Sequence, residues 1–223
     1  ELNELREDLL NGVKNKNCAS CWHDEEHGGD SLRLISNRTV GRNTNTRLMD
    51  QVENPEVANI KSFDLVLGNL CNLKCVMCTP SLSSQLLAEA KAMHDREFDQ
   101  KDFDWPKGDD FIDWCNQHLP QAIHIKFTGG EPFIIPWIKE VIERIPDPQK
   151  EKCVLHFTSN LTVINTTLFE YFRKFKEVWL SVSVEGTHET HEYLRYGHTW
   201  QKLASNLKLV QDMKIKNLIL KIN

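Results

Sequence analysis

Three cysteines within one short segment are the side chains of this sequence best suited to chemistry. Cys71, Cys75 and Cys78 form the segment C-N-L-K-C-V-M-C directly after a strand-like run. Thiolates are soft ligands that suit iron–sulfur clusters and zinc. A closed structural zinc site needs four ligands, whereas a cubane cluster with three protein thiolates keeps one iron open. The segment therefore predicts either an iron–sulfur cluster or a zinc knuckle completed by Cys115 or a histidine.

A second candidate ligand-binding segment, T-G-G-E-P at residues 128–132, ends the next strand-like run. Gly129 and Gly130 allow the backbone to approach a ligand closely and to adopt positive φ. The carboxylate of Glu131 can accept a hydrogen bond from an ammonium group. An ordinary strand-to-helix turn is the alternative, and the position one βα unit after the cysteines favours a ligand site.

The two segments together resemble the signature of the radical S-adenosylmethionine (SAM) superfamily. The resemblance implies a [4Fe–4S] cluster on Cys71, Cys75 and Cys78, with the open iron chelated by the amino and carboxylate groups of SAM. It also implies reductive cleavage of SAM to a 5′-deoxyadenosyl radical, which abstracts hydrogen from a substrate. Gly129, Gly130 and Glu131 match the motif that binds the methionine amino group. Met77 departs from the family, which often has an aromatic residue there.

Two later strand ends supply further cofactor-binding candidates through the same resemblance. Ser159 and Asn160 stand where similar enzymes contact the SAM ribose, and a polar turn is the alternative. Ser183 and Arg195 match a Ser-x-Asp-Gly…Arg pattern in which both residues reach the SAM carboxylate, although Glu185 replaces the usual Asp. The planar guanidinium fork of Arg matches a carboxylate, and a surface ion pair is the alternative. No side chain is singled out as a catalytic acid or base.

The segment C-A-S-C-W near the amino terminus is a separate metal-site candidate. Cys18 and Cys21 supply two ligands, whereas a metal site generally needs more. The stretch resembles the auxiliary-cluster module called a twitch domain, which implies a second iron–sulfur cluster with further cysteines upstream. A zinc half-site and a redox pair are the alternatives.

The elements that must position these residues alternate between strand and helix from about residue 61. Predicted strands are Phe63–Asn69, Ile123–Thr128, Val154–Thr158, Val178–Val184 and Asn217–Ile222. Predicted helices are Leu82–His94, Trp137–Ile145, Leu168–Phe175 and Trp200–Met213. This alternation indicates parallel βαβ units.

Several predicted strands carry apolar residues on one face and polar residues on the other. Ile125 and Phe127, for example, alternate with His124 and Lys126. A complete eight-stranded barrel fills its interior with branched apolar side chains. A polar inner face therefore predicts an α/β fold with a wider, incomplete barrel whose lumen holds ligand and water. The family resemblance implies a partial (βα)6 TIM-like barrel, of which five strands are visible. We expect this core at residues 61–223, preceded by a small cysteine-containing module at residues 1–60.

The remaining histidines and cysteines have simpler expected roles. His188 and His191 are expected at a solvated helix start rather than as metal ligands. His124 and His156 are expected on the polar face, where they touch substrate or only hydrogen-bond each other. Cys115 and Cys153 are isolated in the sequence and are expected to be small buried residues.

Composition narrows the classes of partner. The 223-residue chain has 27 basic and 32 acidic residues, and its net charge of −5 disfavours nucleic-acid binding. The sequence has no run of about 18 apolar residues, so no membrane span is expected. The chain has seven cysteines, and five of them lie in two tight groups, which indicates metal binding in a reducing cytoplasm. Both ends of the sequence are expected to be cuts in a longer chain.

The leading functional hypothesis is a radical SAM enzyme. Its expected partners are SAM, a reductant such as flavodoxin or ferredoxin, and a substrate. Auxiliary clusters in similar enzymes accompany modification of peptides and of other small substrates, which makes a peptide or protein one candidate substrate. A zinc-binding interaction module and an iron–sulfur redox sensor are the alternatives from other classes.

Overall fold

The computed structural model describes residues 2–44, 60–93, 103, 106 and 108–223. The chain forms two compact units, Glu1–Ile60 and Lys61–Asn223. Residues 45–59 lie outside the described residues, as does His94 at the end of a predicted helix. None of the described helices is both long enough and apolar enough to cross a membrane.

The described part of the first unit is helical. It contains α1 (Leu2–Leu10), α2 (Ala19–Glu26) and α3 (Leu32–Thr44). The guanidinium of Arg33 pairs with Glu25 at 2.5 Å and lies 4.6 Å from the centre of the Trp22 ring. The buried hydroxyl of Ser31 donates to the same carboxylate at 2.6 Å. These contacts join the end of α2 to the beginning of α3.

Among the residues that the structure describes, the second unit contains two sheets, seven α-helices and a 3-10 helix at Leu119–Gln121. Its elements are β1 (Ser62–Val66), β2 (Lys74–Cys75), α4 (Ser84–Ala92), α5 (Asp109–His118), β3 (His124–Thr128), α6 (Pro136–Arg144), α7 (Asp147–Lys150), β4 (Val154–Ser159), α8 (Thr166–Phe172), β5 (Glu177–Val182), α9 (His188–Leu194), β6 (Arg195–Tyr196), α10 (Trp200–Asp212) and β7 (Leu218–Ile222).

The main sheet is parallel throughout, in the order β1-β3-β4-β5-β7. Each strand therefore pairs with the next strand of this sheet along the chain, without a reversal of direction. Because parallel crossover connections are right-handed, such an order places the helices on the same face of the sheet. This is the winding of a barrel rather than of an open sheet covered on both faces. The structure thus confirms the predicted α/β class and partial barrel.

The face of the sheet that meets the helices forms the hydrophobic core. Ile125, Phe127, Phe157 and Leu180 have no exposed surface. The rings of Phe127 and Phe157 stack with centroids 4.9 Å apart. The opposite face carries polar side chains such as Asp64, His124 and Lys126, as the alternating pattern predicted, and Val66 shares that face. The two-residue period of the strands brings these side chains to one lumen.

The ends of the elements differ from the prediction where backbone and side-chain geometry intervene. The first strand ends at Val66, shortly before Gly68, whose φ of +127° turns the chain. The next helix begins at Ser84 because Ser83 accepts a hydrogen bond from the Leu86 N–H at 3.4 Å and caps it. Helix α5 was not predicted from the sequence.

Candidate active site

The three-cysteine loop lies between β1 and α4, and the first residues of that helix hold it. The hydroxyl of Ser84 accepts from the Cys71 N–H at 3.2 Å and donates to the Cys71 carbonyl oxygen at 3.1 Å. The hydroxyl of Ser83 donates to the Leu73 carbonyl oxygen at 2.8 Å. The same two serines that begin α4 thus fix the backbone that carries the cysteines.

The cysteine loop and the carboxyl ends of several strands surround one cavity of ≈ 260 Å³. Its lining residues are Cys71, Cys75, Cys78, Leu82, Thr128, Gly129, Gly130, Glu131, Thr158, Asn160, Ser183 and Arg195. All three thiols of the loop are free. Burial raises the pKa of the Cys75 thiol to about 11. A metal that binds this sulfur must therefore displace the thiol proton.

The two glycines of the T-G-G-E segment dock this turn onto the cysteine loop. A Cβ at Gly130 would lie 2.2 Å from the Leu70 carbonyl oxygen, and one at Gly129 would lie 2.6 Å from the Gly68 carbonyl oxygen. Gly129 also has φ of +109°. The Glu131 N–H donates to the Leu70 carbonyl oxygen at 2.8 Å. The close approach is therefore between two backbone segments of the protein, whereas the sequence suggested an approach to a ligand.

Glu131 is buried and joins the turn to the end of β4. Its carboxylate accepts from the Ser159 hydroxyl at 2.7 Å, the Asn160 N–H at 2.8 Å and the Phe133 N–H at 3.1 Å. Burial raises the pKa of Glu131 to about 6, and these hydrogen bonds oppose the rise. The carboxylate is thus held in one orientation by protein donors.

Ser159 and Asn160 occupy different positions although they are adjacent in sequence. Ser159 is buried and does not line the cavity, because its hydroxyl points to Glu131. Asn160 does line the cavity, with its side-chain amide nitrogen 3.9 Å from the Cys71 sulfur. The alternation of side chains at the end of a strand explains the difference.

Ser183 and Arg195 both line the cavity. Ser183 precedes α9 in the chain, and Arg195 follows it. Ser183 follows β5, and Arg195 begins β6, which pairs with β2 in an antiparallel ribbon. Two nitrogens of the Arg195 guanidinium donate to Glu185, and a third lies 3.7 Å from the Cys75 sulfur. The alternative for Arg195 was a surface ion pair. The ion pair with Glu185 is present, but it does not lie on the surface, since only 11% of the Arg195 side chain is exposed.

Cys115 does not belong to this site. It is fully buried in the hydrophobic core, as is Cys153, and burial raises the pKa of their thiols to about 11 and about 12. A zinc knuckle completed by Cys115 is therefore not formed. Among the described residues, no three His, Cys, Asp or Glu side chains are grouped around a position for a single metal ion.

Cys18 and Cys21 lie at the beginning of α2 in the first unit. Cys18 is the N-cap residue, and Cys21 follows within the first turn. Both thiols are free and half-buried. They are the only two cysteines of Glu1–Ile60, so this segment supplies two thiolate ligands at most.

Thr128, Thr158 and Leu82 line the cavity but were not named as candidate cofactor-binding residues. Thr128 and Thr158 lie at the ends of β3 and β4, and their positions in the two-residue alternation could have identified them. Leu82 lies outside any strand and carries no such signal. The ribbon of β2 and β6 pairs residues that are far apart in sequence, so local patterns do not reveal it.

The histidine predictions had mixed outcomes. His191 is fully buried rather than solvated, because α9 turns it toward His198, with Nε2 and Nδ1 3.3 Å apart. His124 and His156 lie on the polar face with ring centroids 6.4 Å apart. The two histidines do not hydrogen-bond each other. His156 hydrogen-bonds Ser181 at 3.1 Å, and His124 hydrogen-bonds Ser62 at 3.2 Å.

The sequence was compared with those of known protein families and proteins. The sequence model of the Radical SAM superfamily matches residues 65–223. The chain is 24% identical over 178 residues to the radical SAM cyclopropyl synthase TigE of Paramaledivibacter caminithermalis, covering 77% of this chain and 36% of that protein. It is 25% identical over 142 residues to an uncharacterised protein of Methanocaldococcus jannaschii, covering 62% and 43%.

The fold also resembles a solved structure. A histidine-tagged anSMEcpe with bound AdoMet superposes with a TM-score of 0.51 at 16% identity, covering 73% of this chain and 42% of that one. The chain thus spans less than half the length of each protein that it matches here.

Proposed function

Because the chain belongs to the radical SAM superfamily, we propose that its second unit binds a [4Fe–4S] cluster through Cys71, Cys75 and Cys78, with SAM beside it. When bound, the cluster and SAM supply one-electron cleavage of the sulfonium to a 5′-deoxyadenosyl radical, which abstracts hydrogen from a substrate. The observation that carries the proposal is the single cavity lined by three free thiols and by the Gly-Gly-Glu turn.

The donor set of the cavity fits this cluster. Three thiols line it and Cys115 lies elsewhere, so a cubane would keep one iron open for SAM. Cys75 is only 8% exposed, and the other two thiols are half-buried. Each thiolate of a cluster binds a different iron, so the thiols need not converge on one point as they would around zinc.

Glu131 is proposed to bind the ammonium group of SAM and to hold the Ser159 hydroxyl. An ionised carboxylate has about four acceptor positions, and the three protein donors leave one for the ammonium group of SAM. Ser159 would act through Glu131 rather than touch the ribose, since its hydroxyl is buried against that carboxylate. Asn160 is the stronger candidate for a ribose contact because it lines the cavity.

Ser183 and Arg195 are proposed to hold the SAM carboxylate. Both line the cavity that contains the thiols. A guanidinium has five N–H donors, of which Glu185 and Cys75 engage three, and the remaining two are available to a carboxylate. The charge of Arg195 would favour the anionic end of SAM at this position.

We also propose that Cys18 and Cys21 contribute to an auxiliary iron–sulfur cluster, and that the substrate of the whole enzyme is a peptide or protein. The support is the resemblance of the C-A-S-C-W sequence segment to the cysteine segment of twitch domains, together with two free, half-buried thiols one helical turn apart. The reductant would be an external one-electron donor such as flavodoxin or ferredoxin.

The proposal is tested by anaerobic reconstitution with iron and sulfide, reduction, addition of SAM and measurement of 5′-deoxyadenosine. We expect product from the parent protein and from the control Cys115→Ala, which removes a thiol outside the cavity. Cys75→Ala should abolish product. A colourless protein that holds zinc and forms no product would refute the cluster, and a brown reduced protein without product would favour the redox sensor.

The auxiliary cluster is tested separately in a longer chain whose three loop cysteines are replaced by Ala. Iron should persist in that protein and should be lost when Cys18→Ala is added. Iron that does not depend on Cys18 would contradict the assignment without affecting the site at Cys71, Cys75 and Cys78.

A further inference from the structure

Arg195 is attached to the cysteine loop by its backbone as well as by its side chain. Residues Cys75 and Arg195 pair directly in the antiparallel ribbon of β2 and β6. Next to this pair, the Val76 N–H donates to the Leu194 carbonyl oxygen at 2.9 Å. The backbone pairing therefore fixes the position of Arg195 directly opposite Cys75.

Glu185 determines where the guanidinium of Arg195 points. The carboxylate accepts from Nε and Nη2, which are the two nitrogens of one edge of the guanidinium. The opposite nitrogen, Nη1, then faces the Cys75 sulfur at 3.7 Å. Such a two-point contact fixes the guanidinium plane more firmly than a single hydrogen bond. The side chains of Arg195 and Glu185 are 11% and 26% exposed, so solvent screens the pair only in part.

Asn160 places a second donor at the Cys71 sulfur. Its amide nitrogen lies 3.9 Å from that sulfur, while its amide oxygen accepts from the Thr162 N–H at 2.9 Å. The Thr162 contact decides the orientation of the amide, because a flipped amide would turn its NH2 group toward a backbone donor. The backbone N–H of Asn160 is fixed by Glu131.

Cys78 has a different environment. Its sulfur lies 3.9 Å from the carbonyl oxygen of its neighbour Thr79, a contact with an acceptor rather than a donor. Two of the three thiols of the loop thus face side-chain donors, and one of those donors is charged.

We propose that Arg195 and Asn160 donate hydrogen bonds to the cluster thiolates of Cys75 and Cys71 and thereby raise the reduction potential of the cluster, with Glu185 as the positioning residue for Arg195. The inference rests on the proposed cluster at this loop. Reduction adds one electron from an external donor and increases the negative charge on the cluster and its thiolates. Donors and a nearby cation stabilise that charge, and hydrogen bonds to the sulfurs are one of the factors that set cluster potentials.

The ion pair between Glu185 and Arg195 determines how the reduction potential should respond to substitutions. Because the carboxylate compensates the charge of Arg195, the pair together adds little net charge and contributes mainly a directed N–H. Removal of both partners should therefore lower the potential less than removal of Arg195 alone, which leaves an uncompensated carboxylate near the cluster. A pure effect of charge would return the double variant to the potential of the parent, because both formal charges are removed, whereas loss of the directed N–H keeps its potential below that of the parent.

The experiment is an anaerobic redox titration of the reconstituted protein, with the reduced cluster followed by electron paramagnetic resonance. For Arg195→Met we expect the equilibrium constant of reduction to fall at least tenfold, which is about 59 mV for a one-electron couple. Asn160→Ala should lower it about threefold, since a neutral donor is roughly half as strong as a charged one. The double variant Arg195→Met/Glu185→Gln should lie between the parent and Arg195→Met.

Arg173→Met and Asn116→Ala are the matched controls, because both residues are exposed and outside the cavity. They should leave the potential unchanged. If Arg195→Met fails to retain the cluster, Arg195→Lys preserves the charge without the fork and should give an intermediate decrease. Potentials of the cavity variants that equal those of the controls would overturn the inference while leaving the proposed function intact. A parent protein without a reducible cluster would overturn both.

Discussion

The substitution Gly130→Ala tests the close approach between the T-G-G-E turn and the cysteine loop. The added Cβ would lie 2.2 Å from the Leu70 carbonyl oxygen and 2.7 Å from the Asn69 carbonyl carbon. Both are backbone atoms, so no side-chain rotation relieves the contact. The loop must move by about 1 Å to restore ordinary van der Waals separation.

The energetic cost of Gly130→Ala follows from two effects. Overpacking of a well-packed site costs about 1–3 kcal/mol. The shift also strains the hydrogen bond from the Glu131 N–H to the Leu70 carbonyl oxygen, now 2.8 Å long, and its loss adds about 1 kcal/mol. We expect the free energy of unfolding to fall by about 2–4 kcal/mol. A displacement of about 1 Å between cluster and SAM should slow 5′-deoxyadenosine formation about 100-fold.

The assays are urea unfolding, iron content after reconstitution, and the rate of 5′-deoxyadenosine formation. Gly108→Ala is the matched control in the same unit, since its Cβ would meet nothing within 4 Å although φ is +90°. It should lose about 1–2 kcal/mol through backbone strain and keep its iron. A Gly130→Ala protein with the stability, iron content and rate of the parent would refute the close-approach argument.

Two further predictions concern buried titratable groups. Glu131→Gln replaces an acceptor-only carboxylate by an amide with one acceptor oxygen, so at least one donor among Ser159, Asn160 and Phe133 loses its partner. We expect a stability loss of about 1–3 kcal/mol in urea unfolding and weaker SAM binding by fluorescence titration, and unchanged values for both would contradict the role of Glu131. Burial lowers the pKa of His198 from 6.5 to about 4, so the stability that depends on neutral His198 is complete above pH 6.5 and is lost as the pH falls toward 4. The unfolding free energy should therefore fall by about 2 kcal/mol more between pH 7 and pH 5 in the parent than in His198→Gln, and equal pH slopes would contradict this.

The sequence alone predicted most of the fold because the second unit is built from local patterns. The alternation of Ile125 and Phe127 with polar neighbours identifies a strand and its two faces, since the side-chain period of a strand is two residues. The predicted strands were confirmed for the same reason, with changes only at their ends. His191 was predicted incorrectly because its burial depends on His198, which follows α9 and the β6 turn.

The candidate site divides in the same way between local and long-range information. The spacing of Cys71, Cys75 and Cys78, and the identity of the Gly-Gly-Glu turn, are properties of short segments and were readable from the sequence. Their convergence on one cavity followed from parallel strands whose carboxyl ends meet at one edge.

Tertiary structure alone decided how the members of the site divide their tasks. Only the folded chain turns the Ser159 hydroxyl toward Glu131 and the Asn160 amide toward a cysteine sulfur. Only the ribbon of β2 and β6 brings Arg195 to Cys75 across 120 residues of chain. Residue type and spacing specify which chemistry a segment can offer, whereas the partner of each donor depends on packing between segments distant in sequence. The sequence thus determined the kind of site, and the fold determined which atoms serve it.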